Sequence, residues 1–91
     1  MANSMTIIGR VVDPPATSHT GLQKNLPVFS VLDVDHQIKK RCRSKVYTKS
    51  IMNNLKEGML VGITGHIRRD FGGEYIMVDQ ITFEGKNNEE I

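Results

Sequence analysis

The 91-residue chain has no tryptophan and a single cysteine, Cys42. One cysteine excludes an internal disulfide and any zinc site built from cysteines. The histidines, His19, His36 and His66, stand at spacings that match no metal motif. Neither a metal nor another cofactor is therefore expected. Long hydrophobic runs are missing as well: a membrane-spanning helix needs about eighteen consecutive apolar residues, and the chain holds no such run. The opening "MANSMTIIGR" lacks the charged start and apolar stretch of a secretory signal, so a cytoplasmic address is the default expectation.

Catalytic signatures are equally scarce. There is no Gly-rich phosphate loop ending in Lys-Ser/Thr, no nucleophile elbow and no His-x-Glu or Cys-x-x-Cys pair. "DFGG", residues 70–73, matches a kinase magnesium motif in letters only, because a chain this short cannot hold the other kinase motifs. Asp33 and Asp35 share a strand face by period two, but the further carboxylates of a metal nuclease are absent, and both read as surface residues. The expectation is a protein without catalytic residues and without metal ligands.

What is present is a concentration of positive charge. The net charge is only +2, yet "HQIKKRCRSKVYTK", residues 36–49, contains Lys39, Lys40, Arg41, Arg43, Lys45 and Lys49 and no carboxylate. A solvated loop normally mixes signs, whereas a surface for an anionic polymer does not. Composition is otherwise that of a globular protein, with 38% apolar and 24% charged residues. The length suits one domain burying roughly 60% of its unfolded surface, too little for a deep cleft.

Patterning predicts mostly strands. "SMTIIGRVVD" is apolar and β-favouring, with Gly9 a candidate bulge. "DPPATSHTGLQKN" reads as a loop, since Pro14 and Pro15 do not fit a central ladder. "LPVFSVLDVD" alternates, with Phe29 and Val31 on one face and Val28, Leu32 and Val34 on the other. The basic segment then reads as a loop running into a third strand, "RSKVYT". "KSIMNNLKEG" is the one helix candidate, capped by Ser50 and stopped by Gly58. "MLVGITGHIRR" and "EYIMVDQITFEG" are strands joined by a turn in which Gly72 and Gly73 permit positive φ. The second needs a bulge between Ile76/Val78 and Ile81/Phe83 to keep both pairs inward. Five strands with one short helix between the third and fourth is the element order of an all-β, five-stranded OB-fold barrel; an SH3-like barrel or an open α+β sheet are the alternatives.

Particular residues add a resemblance. "MTIIGRVVDPP", through Ile8, Gly9, Arg10, Asp13 and Pro14, resembles the opening of bacterial and phage single-stranded-DNA-binding proteins. "LPVFSVLDVD" is similar to that family's second strand, with Phe29-Ser30 at its Phe-Ser pair. "LKEGMLVGITGHI" is similar to a further family segment at Leu55, Gly58, Val61, Gly65 and Ile67. The chain lacks the family's tryptophans and its long acidic-tipped tail, so it resembles a short, tail-less variant, as encoded by phages and mobile elements, and also primosomal replication protein N, a dimeric relative. The resemblance implies an OB-fold domain over residues 1–85 and a short acidic tail over 86–91. It further implies single-stranded DNA as ligand, a role in replication, recombination or replication restart, and assembly into a homodimer or higher oligomer. The expected location is the cytoplasm of a bacterial cell, or of the host for a phage-encoded protein.

The candidate contacts follow from residue chemistry. Lys39, Lys40, Arg41, Arg43, Lys45 and Lys49 are phosphate-binding candidates. Single-strand binding also needs ring faces on which bases stack, and there are only five aromatics. Phe29 and Phe83 lie in apolar alternation and read as core. Tyr47 between Lys45 and Lys49, Phe71 at the hairpin tip beside Arg68 and Arg69, and Tyr75 just after the turn are the stacking candidates. Nothing in the sequence senses a 2′-hydroxyl, so an RNA-binding OB module stands as a further alternative to single-stranded DNA. A different class of function, an adaptor docking a helicase or polymerase, stands as the alternative.

Overall fold

Period-two alternation carries most of the chain into strands. In the computed structural model, residues 4–17 and 26–84 are described. They form β1 (Ser4–Thr17), β2 (Pro27–Asp33), β3 (Ile38–Ser44), helix α1 (Thr48–Asn54), β4 (Leu60–Asp70) and β5 (Gly73–Phe83). The strands close into a barrel in the order β1-β2-β3-β5-β4. All pairs are antiparallel except β3 with β5, which run parallel from Cys42↔Ile76 to Ser44↔Val78. The helix sits between the third and fourth strands, as the OB-fold requires. The proposed acidic tail, 86–91, lies outside the described residues.

The core is the inward set of these strands. Ile7, Val11, Phe29, Val31, Val61, Ile63, Ile76 and Val78 are buried, and Ile51 and Leu55 from the helix region join them. Phe29 is core, as expected, and its truncation to Ala should cost about 3–5 kcal/mol. Phe83 is a correction: it remains 38% exposed, because β5 ends there and its cross-strand partner Val61 lies near the start of β4. The anticipated bulge is present. Thr64 pairs with Gln80 and Gly65 with Val78, which leaves Asp79 as the extra residue. Gly65 is required at that point, since a Cβ there would run into the Met77 carbonyl.

Other boundaries differ from the sequence reading. Pro14 and Pro15 lie inside β1, not in a loop. They fall between Asp13↔Ser30 and Ala16↔Val28, a register shift where a missing N–H breaks no ladder bond. The third strand is Ile38–Ser44, not "RSKVYT": the basic segment is itself the strand. Every residue of β3 from Ile38 to Arg43 pairs with β2, and that pairing overrides the loop-like charge. Asp33 is buried at the β2–β3 turn, not at the surface. It accepts hydrogen bonds from the backbone N–H of Asp35 at 3.0 Å and pairs with His36 Nδ1 at 3.0 Å.

The helix begins without a side-chain cap. Its N-cap position is Tyr47, in the left-handed region at φ 53°, and Ser50 caps nothing; its hydroxyl instead accepts from Asn54. Ser44 holds the preceding bend, accepting from Val46 N–H at 3.1 Å and donating to Val46 O at 2.6 Å. Of the two turn glycines, only Gly73 adopts positive φ, at 109°.

Candidate nucleic-acid interface

Strand alternation sorts the basic segment into two faces. Cys42 and Ser44 point into the core. Lys39, Arg41 and Arg43 alternate with them and therefore share the barrel's outer face. Register extends that face sideways: Arg43 pairs with Met77, and Tyr75, two residues earlier on β5, pairs with Arg68. The β4–β5 hairpin thus stands beside β3 and brings Arg68, Arg69, Phe71 and Tyr75 next to the β3 cations. Lys45, Tyr47 and Lys49 lie past the opposite end of β3, at the bend and the start of α1.

Ion pairs organise this surface. Arg41 donates to Asp70 Oδ1 at 2.8 Å and to the Gly73 carbonyl at 3.0 Å. Arg43 approaches the other oxygen of Asp70 at 3.6 Å. The Gly72 N–H also donates to Asp70 Oδ1, at 2.8 Å. One carboxylate therefore closes the hairpin turn and ties it to β3. The Arg41 hydrogen bond, with the Gly72 N–H and the charge of both arginines, holds the Asp70 carboxyl below its usual range despite partial desolvation.

Lys39 pairs with Asp13 of β1 at 2.7 Å, which lowers the Asp13 carboxyl in the same way. Arg69 pairs with Glu74 across the hairpin at 2.7 Å. Arg68 Nε donates to His66 Nε2 at 3.2 Å, and His66 Nδ1 faces Asp79 at 2.9 Å. Lys40, Lys45 and Lys49 make no ion pair among the described residues. Half of the six cations of the segment are thus already neutralised in the folded chain, a feature that charge counting along the sequence could not reveal.

The aromatics separate sharply. Phe71 is 112% exposed at the hairpin tip, its ring wholly in solvent. Tyr47 is exposed and held by its left-handed backbone. Tyr75 is only 7% exposed: the guanidiniums of Arg43 and Arg41 lie 4.8 Å and 5.7 Å from its ring centroid and cover one face. Tyr75 therefore supports the arginines in this structure, and its ring is not open to solvent.

Sequence reasoning missed two members of the surface. Asp70 reads from the sequence only as part of a turn, though an Asp whose side chain accepts from the N–H two residues on, here Gly72, is a recognised turn former. A groove of about 250 Å³ between β3 and the hairpin was also missed; Ile38, Lys40 and Ile67 are among its walls. No group of three or more potential metal ligands occurs among the described residues, and no helix among them is long and apolar enough to cross a membrane.

The architecture is that of the OB-fold barrels. No protein-family model and no curated protein sequence matches the chain. Solved structures do. The second single-stranded-DNA-binding protein of Mycobacterium smegmatis aligns with a TM-score of 0.76 and 15% identity, over 92% of this chain and 90% of that one. The mitochondrial single-stranded-DNA-binding protein of S. cerevisiae gives 0.75 and 12%, over 96% and 99%. The SSB domain of a Synechococcus protein gives 0.71 and 14%, over 89% and 94%. The fold of this chain is therefore the one those proteins share, along nearly the whole length of each.

Proposed function

We propose that this barrel binds single-stranded DNA with little sequence preference and serves replication, recombination or replication restart. The observation that carries the reading is the pairing of a fully exposed ring, Phe71, with a cationic strand face to which its hairpin is tied by the Arg41–Asp70 bond. Cations hold phosphates and a solvent-exposed ring stacks on a base, and neither reads base identity. The solved proteins of the same fold are named for single-stranded-DNA binding, which supports the same ligand here. Lys40, Lys45, Lys49 and Arg68 take the phosphates first, since they have no carboxylate to give up. Lys39, Arg41, Arg43 and Arg69 exchange an internal partner for a phosphate, at lower net gain.

Assembly into at least a dimer belongs to this reading. Residues 4–7 of β1 pair with β4 alone; the Ile8 carbonyl already accepts from the Val34 N–H at 3.0 Å, and pairing with β2 continues from Gly9. The outer edge of that stretch offers backbone groups that a second copy can cover.

Fluorescence anisotropy with labelled dT, rU and duplex oligonucleotides at two salt concentrations tests the function. Tighter binding of dT than of duplex, weakening with salt, is expected. Equal affinity for duplex would sink the single-strand reading, and tighter rU binding would make RNA the ligand.

A further inference from the structure

Two isoleucines stand where strand alternation would bury them. Ile38 shares its face of β3 with Cys42 and Ser44, and Ile67 shares its face of β4 with Val61, Ile63 and Gly65, all of which are buried. Yet Ile38 is 52% exposed and Ile67 is 39% exposed. The reason lies in the register. β3 pairs with β5 only from Cys42 onward, while β4 and β5 continue past Ile67↔Ile76 to the hairpin tip. The inward face of that overhang has no opposite wall, and a groove of about 250 Å³ opens between Ile38 and Ile67, with buried Ile76 also lining it.

Charge surrounds this apolar slot on one side. Lys39, Lys40 and Arg41 follow Ile38 directly and line the same groove. The one carboxylate in the lining, Glu74, has its charge offset by Arg69 at 2.7 Å. The groove is open to solvent and has room for a single-ring base, its volume matching about eight liquid waters. Aliphatic walls with a cationic rim suit a flat apolar body that carries a negative charge close by. An uncharged apolar peptide would make no use of the lysines.

We propose that this groove holds one unstacked base of the bound single strand, gripped between Ile38 and Ile67, with the adjoining phosphate on Lys40. The inference rests on the single-strand reading above and adds to it a specific base subsite distinct from Phe71. The two isoleucine side chains carry no hydrogen-bonding group, so the grip between them senses apolar surface. A thymine methyl packs against isoleucine where uracil leaves a gap, so thymine is the preferred occupant.

The test uses the whole chain and three DNA oligonucleotides of one length: oligo-dT, oligo-dU and an abasic backbone. The wild-type protein should bind dT about fourfold tighter than dU, the equivalent of one buried methyl group. On titration with dT, the Ile38 and Ile67 methyl proton resonances should move upfield through the ring current of the base; with the abasic strand they should not. The exposed-site variant Ile38→Ser, with its thermal midpoint measured alongside, should narrow the dT-over-abasic preference by about fivefold or more while abasic affinity stays unchanged. Normal dT binding with unshifted methyls and an unaltered preference in the variant would overturn the subsite and leave the single-strand function standing. Failure of the wild type to bind any of the three strands would overturn both.

Discussion

The Asp70 carboxylate at the end of β4 lies 2.8 Å from Arg41 and 3.6 Å from Arg43 on β3, so a single anion sits where two cations would otherwise meet a phosphate. This arrangement makes Asp70 both a tether for the hairpin and an internal competitor with the ligand. Asp70→Asn should remove the competition and release both arginines. The slope of log affinity against log salt should then steepen by about one unit, given roughly 0.7 per phosphate on single strands. An unchanged slope, read from anisotropy titrations across salt, would mean that the arginines stay committed to the fold.

The same carboxylate predicts a pH dependence. Asp13, Asp33 and Asp70 all have folded pKa values lowered from 3.8. For Asp33 burial pushes upward, and the hydrogen bonds from His36 and two backbone N–H groups outweigh it. A depressed carboxyl stabilises the folded state above its unfolded pKa and loses that contribution as pH falls through the folded value. Thermal midpoints should therefore hold near neutrality and decline below about pH 4. In Asp70→Asn the neutral-pH midpoint should be lower and the acid decline shallower; parallel curves for variant and wild type would contradict this.

Phe71 and Tyr75 should respond in opposite ways. Phe71→Ala removes a ring that touches little of the protein, so the midpoint should be unchanged and single-strand affinity should fall by roughly 1–3 kcal/mol. Tyr75→Ala removes a buried ring beneath two arginines and should cost about 3 kcal/mol of stability. Melting curves and oligonucleotide titrations on both variants decide the matter; a destabilised Phe71→Ala protein would refute the exposed-tip assignment.

The wild-type salt slope should itself be modest. The four candidate-interface cations without carboxylate partners, Lys40, Lys45, Lys49 and Arg68, correspond to about −3 on a log-log plot. Lys40→Ala should reduce that by about 0.7 for every sequence alike. A slope near zero would remove the electrostatic part of the proposal.

Two structural consequences can be checked without ligand. Gly65→Ala should destabilise the barrel by about 1–3 kcal/mol, because the added carbon meets the β5 backbone, which can yield only by shifting the Asp79 bulge. Light scattering at tens of micromolar should report at least two chains per particle. A 10.2 kDa particle would show that the β1 edge stays uncovered.

The barrel was legible because its signals are local. Alternation in "VFSV", the glycine pair after Phe71 and the phase change between Val78 and Ile81 each follow from neighbours in the chain. Misplaced features depend on long-range partners. Lys39 to Arg43 look like a loop until β2 is seen to pair with them. Pro14 and Pro15 look like breakers until the register shift absorbs them. At the candidate site, the residue types were visible but the pairings were not: Arg41 meets Asp70 across 29 positions of sequence. The exposure of Ile38 and Ile67 arises from how far one hairpin outruns its neighbour, a length relation that no short window contains.

The only thiol of the chain, Cys42, is fully enclosed, and burial pushes its pKa up to about 12. At neutral pH it is an uncharged thiol sealed from reagents, and alkylation needs an accessible thiolate. The folded protein is therefore chemically silent toward maleimides, and a cysteine placed at Phe71 or Ile38 would take a fluorophore or spin label alone. Such a probe would report from the hairpin tip or the groove without first deleting a native residue from the core.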